Sequence, residues 1–361
     1  MNIQQATERY EAWLKSRLAL IPADLELKHQ RMAESPFPFL RATFYRWAER
    51  WPEVCPDLAA APPVLAVGDL HVDNFGTWRD AEGRLVWGIN DFDEACPMPY
   101  ANDLVRLAAS ALLAAGENHL SLASADACDA ILQGYVEMLA KGGCPFVLAE
   151  RHRWLREAAL GNLRDPVKFW EKLDALAPVA ETIAPEVIAV LKRWLPEKGL
   201  SYRVVHRIAG LGSLGRQRFV ALADWRGGLV AREAKALTVS AWLWEKPAAG
   251  AAEILYQKIL ATSVRVLDPW VQLDGSWIVR RLAPDCSRVE LAALPKDRDE
   301  QKLLQAMGQE TANVHLGDGC ARAAIQADLE KRHGHWLQKA AEAMAEATQQ
   351  DWHQWRTAPK P

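Results

Sequence analysis

The tightest constraint on this chain is a pair of acidic loops, each set at the end of an apolar run. Val64-Leu65-Ala66-Val67 leads into Gly68-Asp69-Leu70-His71-Val72-Asp73-Asn74-Phe75-Gly76. Leu85-Val86-Trp87 leads into Gly88-Ile89-Asn90-Asp91-Phe92-Asp93-Glu94-Ala95, with Arg79-Asp80-Ala81-Glu82-Gly83-Arg84 as a turn between the two halves. The pattern reads as strand, loop, strand, turn, strand, and it gathers five carboxylates within about one hairpin's length. Carboxylates so crowded are costly unless a cation, usually a metal, neutralises them.

The rest of the chain has to supply a frame for these loops. Its 361 residues suffice for two or three packed units. Half are hydrophobic and a quarter charged, an ordinary globular balance, and the net charge of −3 gives no electrostatic footprint for nucleic acid. The six cysteines stand far apart with no C-x-x-C, which argues against a zinc site or a disulfide framework and fits reduced thiols in a cytosol. No export signal and no membrane-spanning run is expected, so the expected location is cytoplasmic.

Four segments follow from the changes of texture. Residues 1–62 read as helical, with apolar stripes over 4–20 and 25–34 and an aromatic helix over 39–51. Residues 63–197 hold the acidic loops, a bend at Pro97-Met98-Pro99-Tyr100, an apolar helix from Leu104 to Ala115 capped by Asn102 or Asp103, and helices near 120–141, 147–160, 166–175 and 180–195. Residues 198–292 turn β-rich: strands at 202–208, 218–222 and 229–234, a helix over 249–264, then strands at 265–272 and 276–282. Residues 293–361 close the chain with helices at 298–316 and 320–348. The fold class is α+β.

Within the β-rich unit lies Gly210-Leu211-Gly212-Ser213-Leu214-Gly215. It sits between two strands, not between a strand and a helix, which argues against a dinucleotide-binding fingerprint. It suits a Gly-rich turn whose backbone N–H groups cover nucleotide phosphates, and equally an ordinary hairpin turn. Some 20 residues on, Val230-Ala231-Arg232-Glu233-Ala234-Lys235 offers a cation for phosphates. Arg232 falls nearest the expected place and Lys235 is the alternative, with Glu253 on the following helix as an orienting partner.

Asp69-x-x-x-x-Asn74, then Asp91, then Asp103-Leu104-Val105 resemble the catalytic loop and metal-binding Asp of the kinase-like phosphotransferases, above all the aminoglycoside and choline kinase branch. Val67 stands where that branch has His, and Phe92-Asp93 follows Asp91 where Phe-Gly is usual. The Gly-rich unit also comes about 140 residues after the catalytic loop instead of before it, an order that a circular permutation would produce. In that order the helix ending Ala312-Asn313-Val314-His315 resembles the one that leads into the catalytic loop. The resemblance implies a two-lobe kinase-like fold, with a mostly helical large lobe and a small β-rich lobe.

A wider resemblance covers nearly the whole chain. Arg31-Met32-x-x-Ser35-Pro36-Phe37-x-Phe39-Leu40-Arg41, Gly68-Asp69-x-His71-x-x-Asn74-Phe75-Gly76, Asn90-Asp91-Phe92-Asp93-Glu94, Asp103-Leu104-x-Arg106-Leu107 and Gly210-x-Gly212-Ser213-x-Gly215 together resemble the uncharacterised bacterial family filed as domain of unknown function 2252. Where many of its members carry K-E-A, this chain has Arg232-Glu233-Ala234.

The kinase resemblance implies an ATP- and Mg²⁺-dependent phosphotransferase acting on a small hydroxylated substrate. Asp69 and His71 are its catalytic candidates: Asp69 for the attacking hydroxyl, His71 lining the loop in a packing or a chemical role. Asn74, Asp91 and Asp93 are the metal candidates. Gly210, Gly212, Ser213 and Gly215, with Arg232, Lys235 and Glu253, are the nucleotide candidates. Asp103 ties the loop to the helix below, and Arg41 either contacts substrate or pairs with one of the acids. Three other readings stay open on these residues: a nucleotidyltransferase, a nucleotide-binding pseudokinase, and a metal-dependent phosphoesterase built on Asp69, His71, Asp73, Asp91 and Asp93.

Overall fold

The fold was analysed in a computed structural model, which describes residues 1–117, 121–148, 151–161, 163–179, 183–244, 253–286, 298–317, 319 and 321–357. The expected helix ends at 120, 149–150, 180–182, 249–252 and 320 lie outside the described residues. The rest is α+β as expected, a helical body with three antiparallel sheets. Among the described residues no helix is long and apolar enough to cross a membrane.

Two small sheets carry the acidic loops. Strand β1 (Pro63–Ala66) pairs with β4 (Cys96–Pro99), and β2 (Phe75–Arg79) pairs with β3 (Leu85–Ile89), which also pairs with β5 (Phe146–Val147). The first acidic loop links β1 to β2; the second links β3 to β4. The Pro-Met-Pro segment expected as a bend is therefore β4, an edge strand, where proline's missing N–H costs no ladder bond.

The helix Tyr100–Gly116 lies beneath both loops and is buried almost all round. It starts four residues before the expected Leu104, so Asn102 and Asp103 belong to its first turn and do not cap it. Helices Ser124–Lys141, Arg298–His315 and Trp336–Thr357 surround it. The closing region expected as one helix over 320–348 is two, Ala321–Lys331 and Trp336–Thr357. The largest hydrophobic core draws on residues from Ala6 to Ala345.

The third sheet has five strands, β6 (Arg203–His206), β7 (Arg218–Trp225), β8 (Gly228–Ala236), β9 (Gln272–Asp274) and β10 (Trp277–Leu282), in the order β6-β7-β8-β10-β9. β7 and β8 are joined by Arg226-Gly227, both at positive φ, as a two-residue type I′ hairpin requires. The strand expected at 265–272 reduces to β9, and the helix expected at 249–264 begins only at Tyr256.

Period-two alternation gives the sheet two different faces. Phe219, Ala221, Ala234, Ala236, Trp277 and Val279 pack on the helix Pro185–Trp194. The opposite face is divided. At one end Val220, Leu222, Ala231 and Leu282 pack on Phe169 and Leu173 of the helix Pro166–Asp174. At the other end stand Arg218, Glu233, Lys235 and Arg280.

Helices Ser124–Lys141 and Arg298–His315 cross at a glycine notch. A Cβ on Gly134 would strike the Gln305 carbonyl, and one on Gly308 would strike the Ile131 carbonyl. Helix propensity alone makes Gly→Ala favourable by about 1 kcal/mol. Here backbone meets backbone and neither side can yield. Gly308→Ala is expected to lower stability by about 2 kcal/mol in urea denaturation, within the range of overpacked cores. A stabilised variant would show that the helices are not in this contact.

Candidate functional site

The first acidic loop is held by one stripe of the Tyr100–Gly116 helix. Asp103, Arg106 and Ser110 sit at i, i+3 and i+7 on it, one above another. Asp103 accepts from the Val67 and Gly68 N–H groups at 2.7 and 2.9 Å. The Val72 N–H donates to Ser110 Oγ at 3.1 Å. Gly68 turns the chain at φ +84°, with its α-carbon facing the Glu94 carbonyl, 2.6 Å from where a Cβ would stand. His315, from the helix Arg298–His315, reaches Asp103 Oδ2 at 3.1 Å and the Tyr135 hydroxyl at 2.9 Å. Asp103 thus has the structural task expected of it.

Arg106 is fully buried and donates to Asp69 Oδ1 through Nε at 2.9 Å and again through Nη2, which also reaches the Leu40 carbonyl. Its guanidinium lies 5.0 Å from the Phe44 ring centre and 4.8 Å from that of Trp47. Asp69 is therefore fixed by one oxygen, while Oδ2 faces Gly212, 3.2 Å from where a Cβ would stand. Burial raises the Asp69 carboxyl above its usual range, outweighing the pull of Arg106.

His71 Nδ1 accepts from the Asp73 N–H at 3.2 Å, and Asp73 pairs with Arg41 at 2.7 Å. Arg41 is thus an ion-pair partner of one of the acids. Asn74 closes the loop. Its carbonyl accepts from the Asn90 N–H at 2.9 Å, tying the two acidic loops together, and its side-chain Oδ1 is buried with no hydrogen-bond partner.

In the second loop Phe92 is buried, with its ring against Tyr256 and Arg265, so Asp91 and Asp93 flank an anchor. Lys235 Nζ sits 3.3 Å from Asp91 Oδ1 and 2.6 Å from Asp93 Oδ1. Burial pushes both carboxyls up. At Asp91 the Lys235 charge overrides burial and holds it well below the usual range. At Asp93 burial and the ionised Asp91 win, and its pKa rises to about 6. Glu94 accepts from the Ala241 N–H at 2.6 Å and from Arg216 at 3.0 Å.

The Gly-rich turn closes over these loops. Leu211–Ser213 form a short 3₁₀ turn. At Gly212 a Cβ would sit 2.9 Å from the Arg41 carbonyl and 3.2 Å from Asp69 Oδ2, so only glycine fits between the turn, the helix Pro36–Ala42 and the first acidic loop. Lys28 donates to the Gly212 carbonyl at 3.1 Å, the Ile21 N–H to the Gly215 carbonyl at 2.8 Å, and Arg218 to Ser213 Oγ at 2.6 Å.

Two cavities result. One of about 50 Å³ is lined by Asp69, His71, Asn74, Asp93 and Gly212. The other, of about 440 Å³, is lined by arginines and by Phe92, Tyr256 and Trp78. Asn90, Asp91 and Gly210 line both.

The structure therefore brings Asp69, His71, Asn74, Asp91, Asp93, Gly210, Gly212 and Ser213 to one small cavity, and Lys235 to its carboxylates. Three expected residues are elsewhere. Gly215 lines neither cavity and packs on the N-terminal segment, where its carbonyl accepts from the Ile21 N–H and a Cβ would meet Leu25. Arg232 points to the opposite face of the sheet, where Nε donates to the Trp194 carbonyl at the end of a helix and the guanidinium covers Trp270. Glu253 is exposed and precedes the helix that was to carry it; the carboxylates beside Lys235 are Asp91 and Asp93. The sequence reading missed Ser110, Arg216, Arg218 and Arg280, and quoted Arg106 only within a motif. Arg216-x-Arg218, directly after the Gly-rich turn, was the available signal.

Among the described residues no group of three or more His, Cys, Asp or Glu is arranged to hold a metal. A magnesium ion does not require one, since it binds through one or two carboxylates with waters and phosphates. The orphaned Asn74 Oδ1 beside Asp91 and Asp93 fits such an oxygen-donor set.

An α+β chain with a clamped acidic loop under a Gly-rich turn defines the class by architecture alone. Comparison with family models goes further: one described as an uncharacterized protein conserved in bacteria (DUF2252) matches residues 18–152 and 181–358, and the chain belongs to that family. The matched residues include every site residue named above. No curated protein and no solved structure matches the chain.

In metal-free protein the folded chain binds the Asp93 proton more tightly than the unfolded chain does. Between about pH 4 and 6 the folded state therefore holds more protons, and this group's contribution to stability falls as pH rises. Asp93→Asn lacks that slope. Relative to wild type it is expected to gain on the order of 1–3 kcal/mol between pH 4 and 7, measured by urea denaturation in EDTA. A difference that does not change with pH would refute the assignment.

Proposed function

We propose that the chain is an ATP- and Mg²⁺-dependent phosphotransferase acting on a small hydroxylated substrate, with the parts of a kinase-like two-lobe fold in circularly permuted order. One observation carries this reading. The Gly-rich turn lies against Asp69, and Lys235 reaches Asp91 and Asp93, although about 140 residues of chain separate the two halves.

On this reading the acceptor lies in the smaller cavity and the nucleotide in the larger, with Asp91 in the shared wall. Asp69 orients the acceptor hydroxyl and takes its proton as the new O–P bond forms and the bond from the γ-phosphorus to the ADP oxygen breaks. Its raised proton affinity suits that task, while Arg106 fixes which oxygen is presented. Asn74, Asp91 and Asp93 would hold Mg²⁺, which neutralises phosphate charge when bound. Lys235 takes the phosphate-contacting role first assigned to Arg232, and the Gly-rich turn excludes water from above. His71 keeps the loop in shape through its bond to Asp73.

Asp69→Asn is expected to cut ATP-dependent modification of an accepted substrate by about 100-fold or more with nucleotide affinity nearly unchanged, since the lost group acts on the acceptor. Asp91→Ala is expected to abolish the Mg²⁺-dependent part of ATP binding in calorimetry. Wild-type protein with no nucleotide affinity at any Mg²⁺ concentration would end the proposal, and a product carrying AMP in place of phosphate would redirect it.

A further inference from the structure

The larger cavity holds a cluster of charge that the catalytic loop does not explain. Glu233 is fully buried on β8 and is met by three arginines from three different segments. Arg218 Nη1 stands 2.8 Å from Oε1, Arg280 Nε 2.7 Å from Oε1, and Arg207 Nη1 2.5 Å from Oε2. One carboxylate cannot balance three guanidiniums. It acts as a hub that fixes their directions while each keeps further N–H donors.

Arg265 adds to the excess. Its guanidinium lies 4.9 Å from the ring centres of both Trp78 and Phe92. Nη2 donates to the Ile89 carbonyl, while Nε and Nη1 are buried without a hydrogen-bond partner. Arg281 brings the arginines in the cavity wall, Arg164 aside, to five, against two lining carboxylates among the described residues, Asp91 and Asp268. Asp285 pairs with Arg281 at 3.3 Å. Positive charge exceeds negative charge even when Glu233 and Asp285 are counted. Among the described residues, a recess with this excess of guanidiniums suits a polyvalent anion.

We propose that this cavity is an oligophosphate site, in which Arg207, Arg218, Arg280 and Arg265 grip two or more linked phosphates beside Asp91. Orthophosphate can engage two or three guanidiniums at one point, whereas guanidiniums from β7, β10 and two loops, spread around a cavity of this size, suit a chain of phosphates. The volume of about 440 Å³ is that of a nucleotide-sized ligand. The inference deepens the transferase reading and rests on it for the donor's role. The anion chemistry is shared by nucleoside triphosphates and inorganic oligophosphate, and Phe92, Tyr256 and Trp78 are the groups able to tell them apart by stacking on a base.

The test uses the full chain in EDTA, without acceptor, so that it is independent of turnover. Inorganic tripolyphosphate, pyrophosphate and orthophosphate are titrated by calorimetry and by thermal shift. Affinity is expected to fall in that order and to weaken with added salt. Arg207→Ala, whose side chain is partly exposed, is expected to weaken tripolyphosphate about tenfold, the effect of one charged hydrogen bond. Arg193→Ala, in an exposed pair with Asp274, should leave it unchanged. ATP binding about tenfold tighter than tripolyphosphate assigns the site to a nucleotide, and equal affinities assign it to the inorganic chain; either result supports the proposal. Absence of tripolyphosphate binding, or equal binding of orthophosphate and tripolyphosphate, overturns it. If tripolyphosphate binds but no ATP-dependent product forms, the anion site stands and the transferase reading falls.

Discussion

The structure depends on one carboxylate's pair of hydrogen bonds. Asp103 accepts two consecutive backbone N–H groups at the point where β1 ends and the chain must turn, deep in a core that offers no water. Left unpaired, those N–H groups would each cost about 1–3 kcal/mol, and the turn would have no fixed direction. With them paired, Arg106 one turn along the same helix meets Asp69, and Ser110 a further turn along meets Val72. Three side chains on one stripe of one helix thus determine the shape of the whole loop. His315 supports the arrangement from behind and links it to the C-terminal helices.

The other half of the cleft is organised by charge. The sheet face toward the cleft begins as ordinary hydrophobic packing and ends as a field of arginines around Glu233, with Lys235 reaching across to Asp91 and Asp93. The two halves are electrostatic complements: an acidic loop on the helical side and a basic surface on the sheet side. The Gly-rich turn lies at the seam, and Lys28 and the residues around Leu20 hold it there from the N-terminal segment.

The acidic loops, the β-rich unit and the task of Asp103 were legible in the sequence because each rests on local pattern: apolar runs ending in Gly-Asp, turn residues between alternating strands, an acid at the start of an apolar helix. The clamp was legible only at Asp103; its partners Arg106 and Ser110 share the i, i+3, i+7 spacing, but that spacing shows their task only once the loop is seen to lie over that stripe. What failed was parity and reach. Arg232 and Lys235 are three residues apart, so on a strand they face opposite ways, and nothing local says which way is inward. Glu253 required a helix longer than the one that forms. The arginine cluster comes from Arg207, Arg218, Arg265 and Arg280, which only sheet register and tertiary packing bring together. The fold's departures from expectation, such as β4 in place of a bend, arise likewise from pairing partners distant in sequence.

The clamp also determines which motions can matter. Loop and helix form a single stiff piece, since Asp103, Arg106 and Ser110 all hold the first loop from that one helix. The Gly-rich turn belongs to another piece, seated through Leu211 and Leu214 on Met32, Phe39 and Ala42 of the N-terminal helices. A small tilt of the sheet would therefore change the spacing between Gly212 and Asp69 while leaving the internal geometry of each untouched.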